Sequence, residues 1–243
     1  MRTPEDNVIF NGKSLSDFDV YTSGDGTYVT PERDIEVVEV PGLSGDLVMD
    51  NRRFKNKEIK YSAWIVDDDD NGNFEANISG LINFLAKDTN YHILKDTYHP
   101  DEFRYAYFKS PLDPSGIILH KAATFDLTFV AKPFKYLDSG NRFEGVQNGS
   151  VLFNPTMFNS NPIIRVSGTG TVSFNGYVIT VRTSPTGSTD IDCDTLDCTS
   201  GNTNCNPYVS FGNDYKPSLK PGKNVISISG FNSVSFKTRW KRI

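Results

Sequence analysis

The sequence predicts an α+β N-terminal domain followed by an all-β sandwich, and three observations predict it. One run, Phe74 to Lys87, repeats apolar residues at helical spacing. Everything beyond Asn141 reads as short strands broken by turn residues. The final stretch alternates cleanly, with Val234, Phe236, Thr238 and Trp240 on one side and Ser233, Ser235, Lys237 and Arg239 on the other. That period of two marks a strand buried on one face. A length of 243 residues suits one large or two small domains, and 19 Gly with 13 Pro suit many short strands joined by turns.

Along the first half, Val8-Ile9-Phe10 leads into a turn at Asn11-Gly12, and Asp17 to Tyr21 reads as another short strand. Asp34 to Val40 alternates acidic with apolar residues, as a half-exposed strand does, and Pro41-Gly42-Leu43-Ser44-Gly45-Asp46 breaks it. Arg52 to Val66 reads as one long strand centred on Ile59, Tyr61, Ala63 and Ile65, so a β-hairpin with a protruding tip lies between Ile35 and Ile65. In the helix, Phe74, Ile78, Leu81, Ile82 and Leu85 form one apolar face, with Asn71 or Asn73 available as a cap. Strands follow at Tyr91–Leu94, Phe103–Phe108 and Thr124–Val130.

Loop chemistry at Asp138 to Asn141 places the domain boundary there, giving domains 1–138 and 139–243. In the second domain, Phe174-Asn175-Gly176-Tyr177 is a hairpin signal, because Asn-Gly fits a type I′ turn. Pro221-Gly222 is turn chemistry of the type II kind. Six or more short strands within about a hundred residues close naturally as a β-sandwich.

A formal net charge of −5 argues against a general nucleic-acid binder, which presents excess Lys and Arg to phosphates. No apolar run approaches the roughly 20 residues that cross a bilayer, and the N-terminus lacks the apolar stretch of a secretory signal. The chain is expected to be soluble and made in a cytoplasm.

Cys193, Cys198 and Cys205 are spaced Cys-x4-Cys-x6-Cys, without the CxxC knuckle that holds zinc and without a histidine nearby. Alternation sets Asp190, Asp192 and Asp194 on the strand face opposite Ile191 and Cys193, so the three cysteines read as reduced structural thiols. Asp67-Asp68-Asp69-Asp70-Asn71-Gly72 begins like a calcium loop, but Ile78 stands where the bidentate Glu belongs, and a solvated acidic loop is expected. His92, His99 and His120 form no metal-binding spacing, and no nucleophile elbow, P-loop or dinucleotide fingerprint occurs. Phe103, Tyr105 and Tyr107, alternating with Arg104 and Ala106, could stack on sugars or bases; strand periodicity favours an ordinary packed face instead. No catalytic constellation emerges, so no enzyme activity, cofactor or metal is expected.

Taken in order, Phe10-Asn11-Gly12-Lys13, Pro41 to Asp46, Asn51 to Lys57, Ile78 to Leu85, Phe125 to Phe129, Lys132 to Tyr136, Asp190 to Asn206 and Lys220 to Asn224 carry a resemblance over nearly the whole chain. The chain resembles the distal tail protein family, the baseplate hubs of long, non-contractile-tailed bacteriophages (siphophages), particularly those of Gram-positive hosts. The resemblance implies a structural virion protein at the phage tail tip, made in the host bacterial cytoplasm. Its N-terminal domain would be tail-tube-like β structure with one helix and would form a hexameric ring. Its C-terminal domain would be a galectin-like β-sandwich. The implied partners are further copies of the chain, the major tail tube protein, a tail-associated lysin or tail fibre protein, and receptor-binding or other baseplate proteins.

For the ring, the hairpin from Ile35 to Ile65 is the candidate surface, since an exposed strand edge lets the next subunit extend the sheet. Charge and order suggest that Asp34, Glu36 and Glu39 of one copy face Arg52, Arg53, Lys55 and Lys57 of a neighbour; the other reading has both runs solvated or paired within one subunit. The alternative function is a carbohydrate-binding β-sandwich recognising host-surface glycans, which needs exposed aromatic and polar residues to converge. Trp240, one of two tryptophans, is expected in the core.

Overall fold

The structure is a computed structural model, and it describes residues 7–24, 27–67, 73–109, 111–118, 121–183, 187–212 and 216–243. The chain divides into two compact units, Met1–Lys135 with Ile243, and Tyr136–Arg242.

The first unit is built on a sheet whose strands run, edge to edge, Lys13–Ser14, Val8–Phe10, His92–Asp96, Glu102–Phe108, Ala122–Leu137, Lys57–Val66 and Val20–Thr22. Asn11 and Gly12, at φ 48° and 77°, make the tight turn that pairs Phe10 with Lys13. Lys57–Val66 buries every second residue, and Ile59, Tyr61, Ala63 and Ile65 meet Phe125, Leu127 and Phe129 of its neighbour in one core. The helix Phe74–Ala86 covers that core with Phe74, Leu81 and Leu85. Asn73 stands at its N-cap position without a side-chain capping bond. Gly80 lets the helix approach Phe18, since a Cβ there would lie 3.2 Å from the ring.

Four expectations are corrected in this unit. Asp17 to Tyr21 is not one strand: a 3-10 turn at Leu15–Phe18 precedes the strand Val20–Thr22, with Asp19 between them in the left-handed region. Ile82 points outward at 39% exposure, and Phe84 packs against the core instead. The long strand from Arg52 divides at Lys55-Asn56, because Leu47–Phe54 leaves the main sheet and, among the described residues, pairs only with Arg33–Val38. In Glu102–Phe108 the inward face is Glu102, Arg104 and Ala106, so Tyr105 and Tyr107 stand half-buried on the outward face.

In the second unit, one sheet orders the strands Phe143–Val146, Ser233–Lys237, Ile163–Ser167, Ser188–Asp192, Cys198–Ser200 and Thr203–Asn204. A second sheet orders Val209–Phe211, Tyr177–Val181, Gly170–Phe174 and Ser227–Ser229. Ile164, Ile191, Val234 and Phe236 of the first share a core with Val172, Phe174, Ile179 and Val181 of the second, and Phe174 meets Phe236 edge-on at 5.7 Å. Asn175 and Gly176, at φ 51° and 86°, make the hairpin turn that pairs Phe174 with Tyr177. Val234, Phe236, Thr238 and Trp240 are all buried, although the strand itself ends at Lys237.

Candidate functional site

The feature that stands out is the ribbon formed by Arg33–Val38 and Leu47–Phe54. Its register pairs Ile35 with Asp50, Glu36 with Met49, Val37 with Val48, and Val38 with Leu47. Directly paired residues share a face, so one face carries Ile35, Val37 and Val48, and the other carries Val38, Leu47 and Met49. All six are exposed, from 41% for Ile35 and Val38 to 57% for Val48. A two-stranded hairpin is marginal alone in water, and each of these half-exposed side chains forgoes about 1 kcal/mol of burial. The ribbon therefore exposes apolar side chains on both faces, beside Asp50 on one and Glu36 on the other.

Its charges are distributed unevenly. Arg53 donates from Nε to Asp34 Oδ2 at 2.5 Å, and Arg33 pairs with Asp50. The hydrogen bond from Arg53, with its charge, holds the Asp34 carboxyl below its usual range and outweighs the opposing effect of burial. Lys55 lies 3.8 Å from Glu32, and both side chains are exposed. Lys57 is buried, its Nζ donating to the Val29 carbonyl at 2.9 Å, and burial pushes it down to about 8. Glu36, Glu39 and Arg52 remain exposed. The proposed acidic and basic runs are thus brought together partly within one chain, at the ribbon's root.

Beneath that root lies a buried ion cluster that the sequence did not announce. Asp96 Oδ2 accepts from Arg104 Nη1 and from Tyr61 Oη, each at 2.8 Å, and Asp96 Oδ1 lies 2.7 Å from His99 Nδ1. Burial pushes the Asp96 carboxyl up, but the Arg104 charge and the bonds from Tyr61 and His99 outweigh it and leave it low. His99 is pushed down by burial despite Asp96. The Tyr28 ring lies 4.6 Å from the His99 ring, so the segment leading into the ribbon rests on this cluster. An alternating polar and aromatic strand signals a half-buried face; nothing in Glu102–Phe108 tells which face receives a fully buried arginine.

The other candidates resolve more simply. Cys193, Cys198 and Cys205 are free and buried, and burial pushes Cys198 up to about 12. Arg165 clamps Asp190 with two bonds and Arg239 clamps Asp192 with two, so these aspartates are engaged by arginines. Among the described residues no group of three His, Cys, Asp or Glu is placed to hold a metal. Residues 68–72 of the acidic loop, and His120, lie outside the described residues. Trp240 is 6% exposed, so the second unit offers no surface tryptophan to a sugar; Trp64 of the first unit is 39% exposed beside Tyr21. No described helix is long and apolar enough to cross a membrane.

No family model matches the sequence, and no curated protein matches it. The fold, however, is similar end to end to that of the SPP1 Dit (gp 19.1) protein, reported as a paradigm of the hub adsorption apparatus in phages infecting Gram-positive hosts. The TM-score is 0.74 at 15% identity, covering 98% of this chain and 99% of that one. A chain of the phage P2 baseplate in its activated conformation with Ca aligns at TM-score 0.58 and 11% identity, covering 98% of each chain. The same baseplate with Sr gives 0.57 and 11%, covering 98% of this chain and 97% of that one. At such identities the likeness is one of fold: mostly strands, with one α-helix among the described residues.

Proposed function

We propose that this chain is a distal tail protein of a long, non-contractile-tailed bacteriophage, a structural hub that forms a hexameric ring at the tail tip. The observation that carries the reading is the end-to-end likeness to the SPP1 Dit protein across both compact units. In this reading residues 1–138 form the ring beneath the major tail tube protein. Residues 139–243 form a galectin-like β-sandwich that anchors receptor-binding or other baseplate proteins, and the ring carries a tail-associated lysin or tail fibre below.

The exposed ribbon supports the reading physically, because a ring whose copies meet head to tail uses two different patches on each copy, and an exposed apolar ribbon can supply one of them. Glu36, Glu39 and Arg52 are the charged residues that the ribbon offers to a neighbour. Asp34 with Arg53, Lys55 near Glu32, and the buried Lys57 fix its root.

Negative-stain electron microscopy of the concentrated protein, alone and mixed with its tail tube protein, tests this. Six-subunit rings with a central channel are expected. A chain that stays monomeric in both samples overturns the reading.

A further inference from the structure

We infer that the outward face of the first unit's sheet, centred on Lys132 with Tyr91, Tyr105 and Tyr107, receives the Arg33–Phe54 ribbon of a second copy of this chain. The inference rests on the ring-forming reading and names the receiving surface, which that reading leaves open.

The face is built from three neighbouring strands. Tyr105 and Tyr107 stand outward because Arg104 and Ala106 occupy the core side. Ile93 pairs with Tyr105 across the strands and is 36% exposed. Tyr91 meets Tyr107 edge-on at 5.3 Å. Lys132 lies over two of these rings, its Nζ 4.9 Å from the Tyr91 centroid and 5.6 Å from that of Tyr105. It meets no carboxylate among the described residues. A cation held only by ring faces at an exposed site gains little from them, so its charge is available to an incoming carboxylate.

The ribbon face bearing Val38, Leu47 and Met49 carries one carboxylate, Glu36, which makes no ion pair among the described residues. Three apolar side chains with one negative charge complement a ring-lined face whose cations are Lys132 and, 5.9 Å from the Phe103 centroid, Lys95. The ribbon of the same chain does not supply this cover. Its root is fixed where Phe54 packs on Phe134 at 5.8 Å, and the strand back to Leu47 extends on the order of 24 Å at ~3.4 Å per residue. Asn56, just past that root, donates from Nδ2 to Tyr91 Oη at 2.6 Å, but the apolar side chains from Leu47 to Met49 stay exposed, so the ribbon beyond its root does not cover the face. A second copy is therefore the occupant, in a head-to-tail contact whose two patches differ.

The test is a charge swap on the full chain, read by native mass spectrometry and light scattering across a concentration series. Glu36→Lys and Lys132→Glu should each raise the concentration needed for assembly at least tenfold, and the double variant should restore it. Unchanged circular dichroism and melting temperature show that each variant folds. If Val38→Asp with Met49→Asp abolishes assembly while Lys132→Glu does not, the receiving face is wrong and the ring reading stands. Rings that survive both sets of substitutions overturn ribbon docking but leave the ring. Failure of the double variant to restore assembly overturns the Glu36–Lys132 contact. A wild-type chain that remains monomeric throughout the series overturns the self-docking inference, and the tube-mixed sample then decides the ring reading separately.

Discussion

Asp96 and Arg104 form an ion pair with side-chain exposures of 0% and 1%, against the first unit's largely apolar core. Two charges so placed cost desolvation, and the pair is sustained because Tyr61 and His99 add bonds to the same carboxylate.

Removing one partner should therefore be severe. Arg104→Ala leaves the Asp96 charge buried with weakened compensation and is expected to cost about 3–5 kcal/mol. A urea titration of variant against wild type reads this as a lower midpoint; an unchanged midpoint would mean that the pair is solvated.

The same cluster sets an acid limb of stability. His99 has a folded value below its ordinary 6.5, pushed there by burial against the pull of Asp96, with Arg104 and Lys135 nearby. Below 6.5 the unfolded chain binds more protons than the folded one. The His99 contribution is thus complete above 6.5 and is lost as pH falls through the folded value. Asp96, whose carboxyl sits below 3.8, extends the loss further into acid. Melting temperature should fall between pH 7.5 and pH 5, and His99→Gln should flatten that fall.

The three cysteines should be silent while the chain is folded. Each is buried, and burial raises the Cys193 and Cys198 thiols far above neutrality, so little thiolate forms. A thiol-reactive disulfide reagent at pH 7.5 should titrate none of the three in the native protein and all three in denaturant. Rapid native labelling of any of them would contradict the burial.

Asn224 is the polar keystone of the second unit. It is fully buried, its Nδ2 donates to the carbonyls of Leu152, Lys220 and Gly222, and its Oδ1 accepts from the Lys220 amide and from Asn175 Nδ2. Asn224→Ala strands several of these groups and should cost on the order of 3 kcal/mol. Asn224→Asp should be no better, because it replaces the donor that three carbonyls need. Chemical denaturation of both variants checks the pair.

Much of the architecture was legible where one residue type does one local job. Asn11-Gly12 and Asn175-Gly176 both adopt positive φ and close tight hairpins, and the alternation ending in Trp240 marks the buried side correctly. The helix was legible too, apart from Ile82, because periodicity names a face about 100° wide and not which edge of it meets the core. The faces of Glu102–Phe108 were not legible. Periodicity put Phe103, Tyr105 and Tyr107 on one packed face; Phe103 is buried at 2%, but the two tyrosines stand half-buried, and Arg104 went in to meet Asp96, a partner eight residues away in sequence. The ribbon was seen as a hairpin, but its near-total exposure depends on Leu47–Phe54 finding no place in the main sheet, a tertiary outcome that composition does not encode. The pairing of Asp34 with Arg53 follows from the same register and was left open by charge alone.

The chain has two tryptophans, Trp64 at 39% exposure in the first unit and Trp240 at 6% in the second. The consequence is optical. Each unit carries its own chromophore in a different dielectric, so Trp64 emits to the red and is open to iodide, while Trp240 emits to the blue and is shielded. A single emission spectrum resolved into two bands follows the melting of both units in one cuvette, and Trp64→Phe leaves a one-band reporter of the second.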